Sequence, residues 1–104
     1  MAEDLAQGTY VQSHEDGTLA FEVNYERGKL HGKVRRWAAN GQLIYEAEHV
    51  DDLLQGPYKR WHENGELREE CAYVDGILHG PYRQYDVKGK LLLELEFENG
   101  KLVE

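Results

Sequence analysis

The sequence predicts an all-β fold: a single-layer, twisted antiparallel meander of about eight strands, built from four 24-residue β-hairpin repeats. Three observations predict this fold. Glycines recur every 24 residues, apolar and polar residues alternate with the period of two that a strand requires, and short Gly-containing turns separate the alternating segments. Units of this kind bury a continuous core only by stacking on their neighbours.

The repeat is visible at several positions that keep the same spacing. The recurring residues are Gly8, Gly32, Gly56 and Gly80; Gly17, Gly41, Gly65 and Gly89; Leu19, Leu43, Leu67 and Leu91; Glu22, Glu46, Glu70 and Glu94; and Leu30, Leu54, Leu78 and Leu102. The chain therefore reads as one domain, residues 1–104, with repeats at about 8–31, 32–55, 56–79 and 80–103.

Each unit contains two strands and two turns. The first turns are Asp16-Gly17, Asn40-Gly41, Asn64-Gly65 and Lys88-Gly89; the second are Arg27-Gly28, Asp75-Gly76 and Asn99-Gly100, with Asp52 where the second repeat lacks the glycine. Asn-Gly and Asp-Gly favour two-residue hairpin turns because both residues tolerate positive φ. A turn of this type at Asn64-Gly65 pairs Glu63 with Glu66 and His62 with Leu67.

Continuing that register outward brings opposite charges together. It pairs Lys59 with Glu70 and Arg60 with Glu69, and in other repeats Arg35 with Glu46 and Arg83 with Glu94; Val11 faces Glu22 in the first repeat. Opposite charges directly across a hairpin favour the register by up to about 1 kcal/mol per pair.

Alternation then divides the side chains between two faces of the sheet. The apolar face is expected to carry Leu19, Phe21, Val23, Tyr25, Leu43, Tyr45, Ala47, His49, Leu67, Glu69, Cys71, Tyr73, Leu91, Leu93, Leu95 and Phe97, with Tyr10, Val34, Tyr58 and Tyr82 from the first strands. The opposite, charged face carries the repeated Glu, the repeated Lys or Arg, and an aromatic column of Trp37, Trp61 and Tyr85. A single sheet leaves the apolar face in need of cover, by curling, by a partner or by a second copy.

Composition narrows the class of partner. Asp and Glu number 20 against 12 Lys and Arg, a net charge of −8. An acidic surface repels phosphate backbones and anionic lipid, so we expect no nucleic acid and no membrane, and a basic protein is the electrostatic complement. The lack of a charged and apolar leader at the N-terminus and the lone Cys71 favour a cytoplasmic location.

No catalytic, cofactor or metal site is expected. Equivalent Glu residues lie about 10 Å apart, too far to share a cation. The histidines, at His14, His31, His49, His62 and His79, follow no metal-ligand spacing, and Cys71 is expected as a buried free thiol. With no nucleophile, base and oxyanion donors in view, the chain is not expected to be an enzyme.

The candidate partner-binding residues are Trp37, Trp61 and Tyr85, flanked by Arg35, Lys59 and Arg83. Large aromatic side chains and arginines are enriched among residues that dominate binding energy. In the alternative interpretation Trp61 only packs under Arg68, its expected partner across the hairpin, as a cation–π pair. The apolar face and the two sheet edges are further candidates, since edge backbone can accept an added strand.

One pattern of residues invites comparison with known repeats: Gly56-Pro57-Tyr58, Trp61, Glu63-Asn64-Gly65-Glu66-Leu67, Glu70, Tyr73, Asp75-Gly76 and Leu78-His79-Gly80. This pattern resembles MORN-type repeats, in the variant of the bacterial YwqK-like antitoxin family. The resemblance covers roughly residues 8 to 103. It implies a bacterial antitoxin or immunity protein that neutralises a toxin by binding it, and the acidic charge favours a basic toxin. A generic scaffold or homo-oligomerisation module, for example a homodimer, is the alternative. Lipid-surface binding, known among MORN proteins, is disfavoured by the charge.

Overall fold

The computed structural model describes residues 5–104 and forms one antiparallel sheet of eleven strands. The strands are β1 Gly8–Ser13, β2 Leu19–Glu26, β3 Lys29–Leu30, β4 Gly32–Trp37, β5 Leu43–Val50, β6 Leu53–Trp61, β7 Leu67–Val74, β8 Ile77–Leu78, β9 Gly80–Tyr85, β10 Leu91–Glu98 and β11 Lys101–Leu102. The all-β class is confirmed. The count exceeds the eight expected because the two-residue segments β3, β8 and β11, each directly after a second turn, are strands of their own.

The sheet is a single open layer in which spatial order follows chain order. Strands run β1-β2-β4-β5-β6-β7-β9-β10-β11, with β3 on β2 and β8 on β7. The Cα envelope measures 53 × 37 × 12 Å, and the radius of gyration is 15.9 Å. A compact chain of this length would have about 13 Å, so the meander is extended, as the repeat predicts. None of the described residues forms a helix long and apolar enough to cross a membrane.

The hairpin register is confirmed in the strands and wrong beside the first turns. Lys59 pairs with Glu70 and Arg60 with Glu69, but the next pair is Trp61 with Leu67. Arg68 is therefore an extra residue, a β-bulge, and the expected pairing of Trp61 with Arg68 does not form. The same bulge recurs in the other three repeats.

The bulge follows from a wider turn than Asn-Gly predicts. The Gly65 amide donates to His62 O at 3.0 Å and the His62 amide to Glu66 O at 2.8 Å. Gly65 has φ 92°, while Asn64 is not among the positive-φ residues. A type I turn closed by a left-handed glycine has this geometry, and it replaces the predicted pairs of Glu63 with Glu66 and His62 with Leu67.

One consequence is that four leucines change face. Directly opposite residues share a face, and Trp37 pairs with Leu43. Leu43 and its equivalents Leu19, Leu67 and Leu91 therefore lie beside the aromatic column and not on the apolar face. The bulged Ile44 takes the vacated place, where it lines a groove with Arg36 and Tyr45.

The second turns are the two-residue type with positive φ at both central residues. They are Arg27-Gly28 (φ 52° and 81°), Asp51-Asp52 (48° and 71°), Asp75-Gly76 (51° and 79°) and Asn99-Gly100 (51° and 81°). The second repeat keeps its turn without the glycine. There Asp52 Oδ1 accepts a hydrogen bond from the Leu30 amide at 2.7 Å, which helps to offset the left-handed backbone.

Between hairpins the register shifts by two residues at each repeat glycine. Tyr73 pairs with Leu78, and Glu70 pairs with Arg83. A step of three residues along β7, from Tyr73 to Glu70, therefore corresponds to a step of five along the neighbouring segment, from Leu78 to Arg83. Gly80 lies in this longer segment and has φ 96°, a conformation that would be strained for a residue with a side chain. The shift decides which residues of neighbouring repeats face each other.

A small core lies along the middle of the apolar face. Val23, Val34, Ala47 and Cys71 are buried, and Ala47 is fully so. Rings cover them from the same face in edge-to-face pairs; the centroids of Tyr45 and Tyr58 lie 5.4 Å apart and those of Tyr58 and Tyr73 lie 5.7 Å apart. Small residues under large aromatic ones thus give a one-layer sheet an interior.

Candidate binding surfaces

The charged face carries one continuous row of alternating charges. Cross-strand pairs run in order Glu22, Arg35, Glu46, Lys59, Glu70, Arg83 and Glu94, one residue from each successive long strand from β2 to β10. We call this row the charge ladder. Within-hairpin pairs were predicted; the pairs between hairpins were not, because they depend on the two-residue shift at the glycines.

The ladder's arginines are already satisfied by the protein itself. Arg35 places Nε 2.7 Å from Glu46 Oε2 and Nη1 2.9 Å from Glu22 Oε1. The hydrogen bond to Glu46, followed by that to Glu22, raises the pKa of Arg35. Arg83 Nε lies 2.6 Å from Glu94, and its Nη1 lies 3.9 Å from Glu70. These arginines brace the sheet and are poorly available to an acidic partner.

The predicted aromatic column stands next to the ladder. Trp37 and Trp61 are half-buried and, by alternation, share the face of Arg35 and Lys59. Tyr85 Oη donates to Glu70 Oε2 at 2.6 Å, which fixes the ring of Tyr85 on this face. The structure therefore places the predicted binding residues on one face of the sheet, with the aromatic ones on alternate strands.

The apolar face presents a second surface, an open groove of about 550 Å³. It is lined by Phe21, Val23, Tyr25, Leu30, Val34, Arg36, Ile44, Tyr45, His49, Tyr58 and Arg60. Arg36 holds its guanidinium carbon 5.5 Å from the Phe21 ring centroid and 6.0 Å from that of Tyr45. At such distances cation and ring attract, so a positive charge sits within an aromatic groove.

Sequence reasoning left Arg36 and Arg60 without a binding role. They occupy equivalent positions in β4 and β6 and flank Tyr45 directly across both neighbouring strands. The signal was available, since each precedes a tryptophan of the aromatic column and so must point to the opposite face. The groove of aromatic rings and arginines is thus the counterpart of the column on the reverse side.

Two histidines join successive repeats along the edge formed by the first turns. A ring nitrogen of His14 lies 3.0 Å from Trp37 O, and one of His62 lies 2.9 Å from Tyr85 O. The carbonyl accepts, so each Nε2 carries the proton. Asn40 and Asn64 also donate to main-chain oxygens of the next repeat. These side chains hold the aromatic column's backbone in place.

The remaining polar groups form no metal-binding geometry within residues 5–104: three His, Cys, Asp or Glu side chains nowhere converge. His79 Nδ1 accepts from the Asn99 amide at 3.2 Å, a structural role at a turn. His49 lies in the apolar groove, where burial lowers its pKa. Burial raises the pKa of the Cys71 thiol to about 11, which makes it a poor nucleophile.

Comparison with known families identifies the repeat. The family model described as a MORN repeat variant matches four consecutive segments, residues 6–27, 30–51, 54–75 and 78–99. The matches share the 24-residue spacing of the predicted repeats and cover most of the chain. No curated protein matches the chain in sequence.

Proposed function

Because the chain belongs to the MORN repeat variant family, whose repeats serve as binding modules, we propose that it is an antitoxin or immunity protein of the bacterial YwqK-like type, which neutralises a basic protein toxin by direct, non-catalytic binding. The family supports the binding module; the toxin partner is our proposal. We propose further that it acts in the cytoplasm.

One observation carries the proposal: two side-chain surfaces suited to protein contact lie back to back on a one-layer sheet. The apolar face keeps Phe21, Tyr45 and Tyr58 half-exposed above a thin core. Aromatic residues and arginine are the side chains that dominate protein interfaces. A sheet that is only one layer thick offers much area for docking.

Charge favours a basic partner. The excess of acidic side chains, 20 against 12 basic ones, gives −8. At the edge formed by the second turns, the exposed acidic side chains Glu26, Asp51, Asp52, Asp75 and Glu98 outnumber the exposed basic ones, Arg27, Lys29 and Lys101. This acidic rim would speed encounter with a cationic protein and orient it over the sheet.

The test is co-purification from cells that express the tagged chain together with candidate toxins encoded nearby, followed by a growth-rescue assay. The proposal expects one stoichiometric basic partner and rescue of growth. If no neighbouring product is toxic, or if the chain fails to rescue growth from one that is, the antitoxin role is wrong.

Matched double variants then identify the face. Trp37→Ala with Trp61→Ala truncates the aromatic column, whereas Arg36→Ala with Arg60→Ala truncates the groove on the reverse side. The two pairs are adjacent in β4 and β6, so both variants perturb the same strands. Loss of the partner in the tryptophan variant alone supports the column of Trp37, Trp61 and Tyr85; loss in the arginine variant alone moves the site to the groove.

A further inference from the structure

Strand β10 differs from its equivalents at one edge. The corresponding strands β2, β5 and β7 each pair along both edges, the outer one with β4, β6 and β9 respectively. On its outer edge β10 pairs only through Phe97 and Glu98, with β11. The Val103 amide also donates to Glu96 O at 2.8 Å. The outer edge at residues 91–95 is therefore left without a strand among the described residues.

The last carboxylate of the charge ladder, Glu94, is more exposed than the other three. The side chains of Glu22, Glu46 and Glu70 are 21%, 28% and 29% exposed. That of Glu94 is 53% exposed, because none of the described strands lies on its outer side. The adjacent Leu92 is 62% exposed and Leu93 is 38% exposed. A carboxylate flanked by leucines on an uncovered strand edge favours an added strand that carries a cation and an apolar side chain.

The chain itself provides three templates for that partner. At the equivalent edge stand Gly32-Lys33-Val34-Arg35-Arg36-Trp37, Gly56-Pro57-Tyr58-Lys59-Arg60-Trp61 and Gly80-Pro81-Tyr82-Arg83-Gln84-Tyr85. Each sets Arg or Lys opposite the ladder Glu, with Val or Tyr one residue before it and an aromatic residue two after. The register thus determines which type of side chain stands opposite the ladder Glu and which types stand next to it.

Resting on the proposed function, we infer that the outer edge of β10 accepts an antiparallel strand of the protein partner, one that places a Lys or Arg opposite Glu94 and a β-branched or aromatic residue beside it. The strand would extend the charge ladder by one cation and place its β-branched or aromatic residue opposite Leu95, the equivalent of Ala47 in the pair with Tyr58. It would also give the basic partner a defined point of attachment to an acidic sheet.

A second copy of the chain fits this edge less well. Strand β1, whose outer edge pairs with none of the described strands, carries Val11 where the templates carry a cation, as its pairing with Glu22 shows. It also carries Ser13 in place of the aromatic residue. A β1 strand docked on β10 would leave Glu94 with Arg83 as its one cation and would not extend the aromatic column.

The experiment uses a fluorescein-labelled peptide with the sequence of residues 78–86, whose Arg83 supplies the cation, and measures its fluorescence anisotropy with the full chain. Binding is expected. The matched peptide with Arg83→Glu should bind roughly fivefold to tenfold more weakly, as should the original peptide to the Glu94→Gln chain. A control peptide with the β1 sequence, residues 6–14, should also bind weakly.

Exchanging the charges of Glu94 and of the peptide's Arg83 distinguishes a loss of specific recognition from a misfolded variant. The Glu94→Lys chain should lose the original peptide and gain the Arg83→Glu peptide. Absence of peptide binding, or binding that ignores both charges, overturns the inference. A dimer in sedimentation velocity that Glu94→Lys dissociates also overturns it, because a second copy then fills the edge. Neither result touches the antitoxin role, which the growth-rescue assay tests by itself.

Discussion

Tyr85 donates a hydrogen bond from its phenolic oxygen to Glu70 Oε2, 2.6 Å away in the preceding repeat. The bond connects the aromatic column to the charge ladder and raises the pKa of Tyr85 above its ordinary value. Glu70 therefore receives both a phenol and, at 3.9 Å, the Arg83 guanidinium. A residue predicted for partner binding is thus also a connection between repeats.

Replacing Tyr85 with Phe should lower the free energy of unfolding by about 0.5–1 kcal/mol, because one hydrogen bond to a charged but solvated acceptor is lost. Urea denaturation followed by circular dichroism measures the change. Tyr10→Phe is the control, since Tyr10 is 48% exposed on the first strand and should be nearly neutral. Equal losses in both variants would contradict the structural role of the Tyr85 hydroxyl.

Arg35→Met should destabilise the fold by about 1–3 kcal/mol. The methionine keeps the aliphatic packing but deprives Glu22 and Glu46 of the guanidinium that both contact, and partly buried carboxylates that lose an ion pair are costly. The measurement is the denaturation midpoint at neutral pH and again near pH 3, where protonated carboxylates no longer repel. The loss should shrink in acid.

Lys33→Met provides the matched control for Arg35→Met. Lys33 lies two residues earlier on β4, on the same face, and is exposed. An exposed lysine of this kind contributes within about 0.5 kcal/mol. A Lys33 variant as unstable as the Arg35 variant would show that the ladder position has no special weight.

His49 should make the protein less stable in acid. Burial lowers its pKa below the ordinary 6.5, so the unfolded chain binds the proton more readily than the folded one. Stability is full above pH 6.5, falls as the pH drops below it, and levels off below the folded-state pKa. The other repeats carry Tyr25, Tyr73 and Phe97 at this position.

The His49→Tyr variant should lack this contribution. Its advantage over the unmodified chain in urea denaturation should therefore be larger at pH 5 than at pH 8. The comparison cancels the other histidines, which both chains share. An advantage that is the same at both pH values would show that His49 does not titrate differently on folding.

Cys71 should resist thiol reagents in the folded protein. With a pKa of about 11, roughly one thiol in a thousand is ionised at pH 8, and the side chain is buried beside Tyr58 and Tyr73. Reaction with Ellman's reagent should be at least roughly a hundredfold slower than for the urea-unfolded chain. Fast reaction without denaturant would mean that the apolar face opens readily.

The candidate site was predictable in position but not in environment. Trp37, Trp61 and Tyr85 follow the ladder's cations by two residues, so alternation alone assigns them to the charged face. Only one of the two Glu partners of each arginine, Arg35 and Arg83, could be predicted from the sequence. Each arginine's within-hairpin Glu follows from the turn, whereas its second Glu belongs to another hairpin.

Turn type was the local feature that sequence assigned least well. Asn64-Gly65 suits a two-residue turn, yet it forms a wider one with the bulge at Arg68. The pair Asp51-Asp52, which lacks a glycine, adopts the two-residue turn. Stacking explains both, because Asn64 bonds to the main chain of the next repeat and Asp52 bonds to that of the preceding hairpin.

The sequence by itself determined the 24-residue unit, the all-β class and the charge pairs within the last three hairpins, such as Lys59 with Glu70. All of these depend on spacing along one short segment, where strand alternation and one turn fix the geometry. Only the tertiary structure decided how hairpins meet. The two-residue shift at Gly32, Gly56 and Gly80 needs positive φ and cross-repeat contacts, and it alone joins separate ion pairs into one ladder.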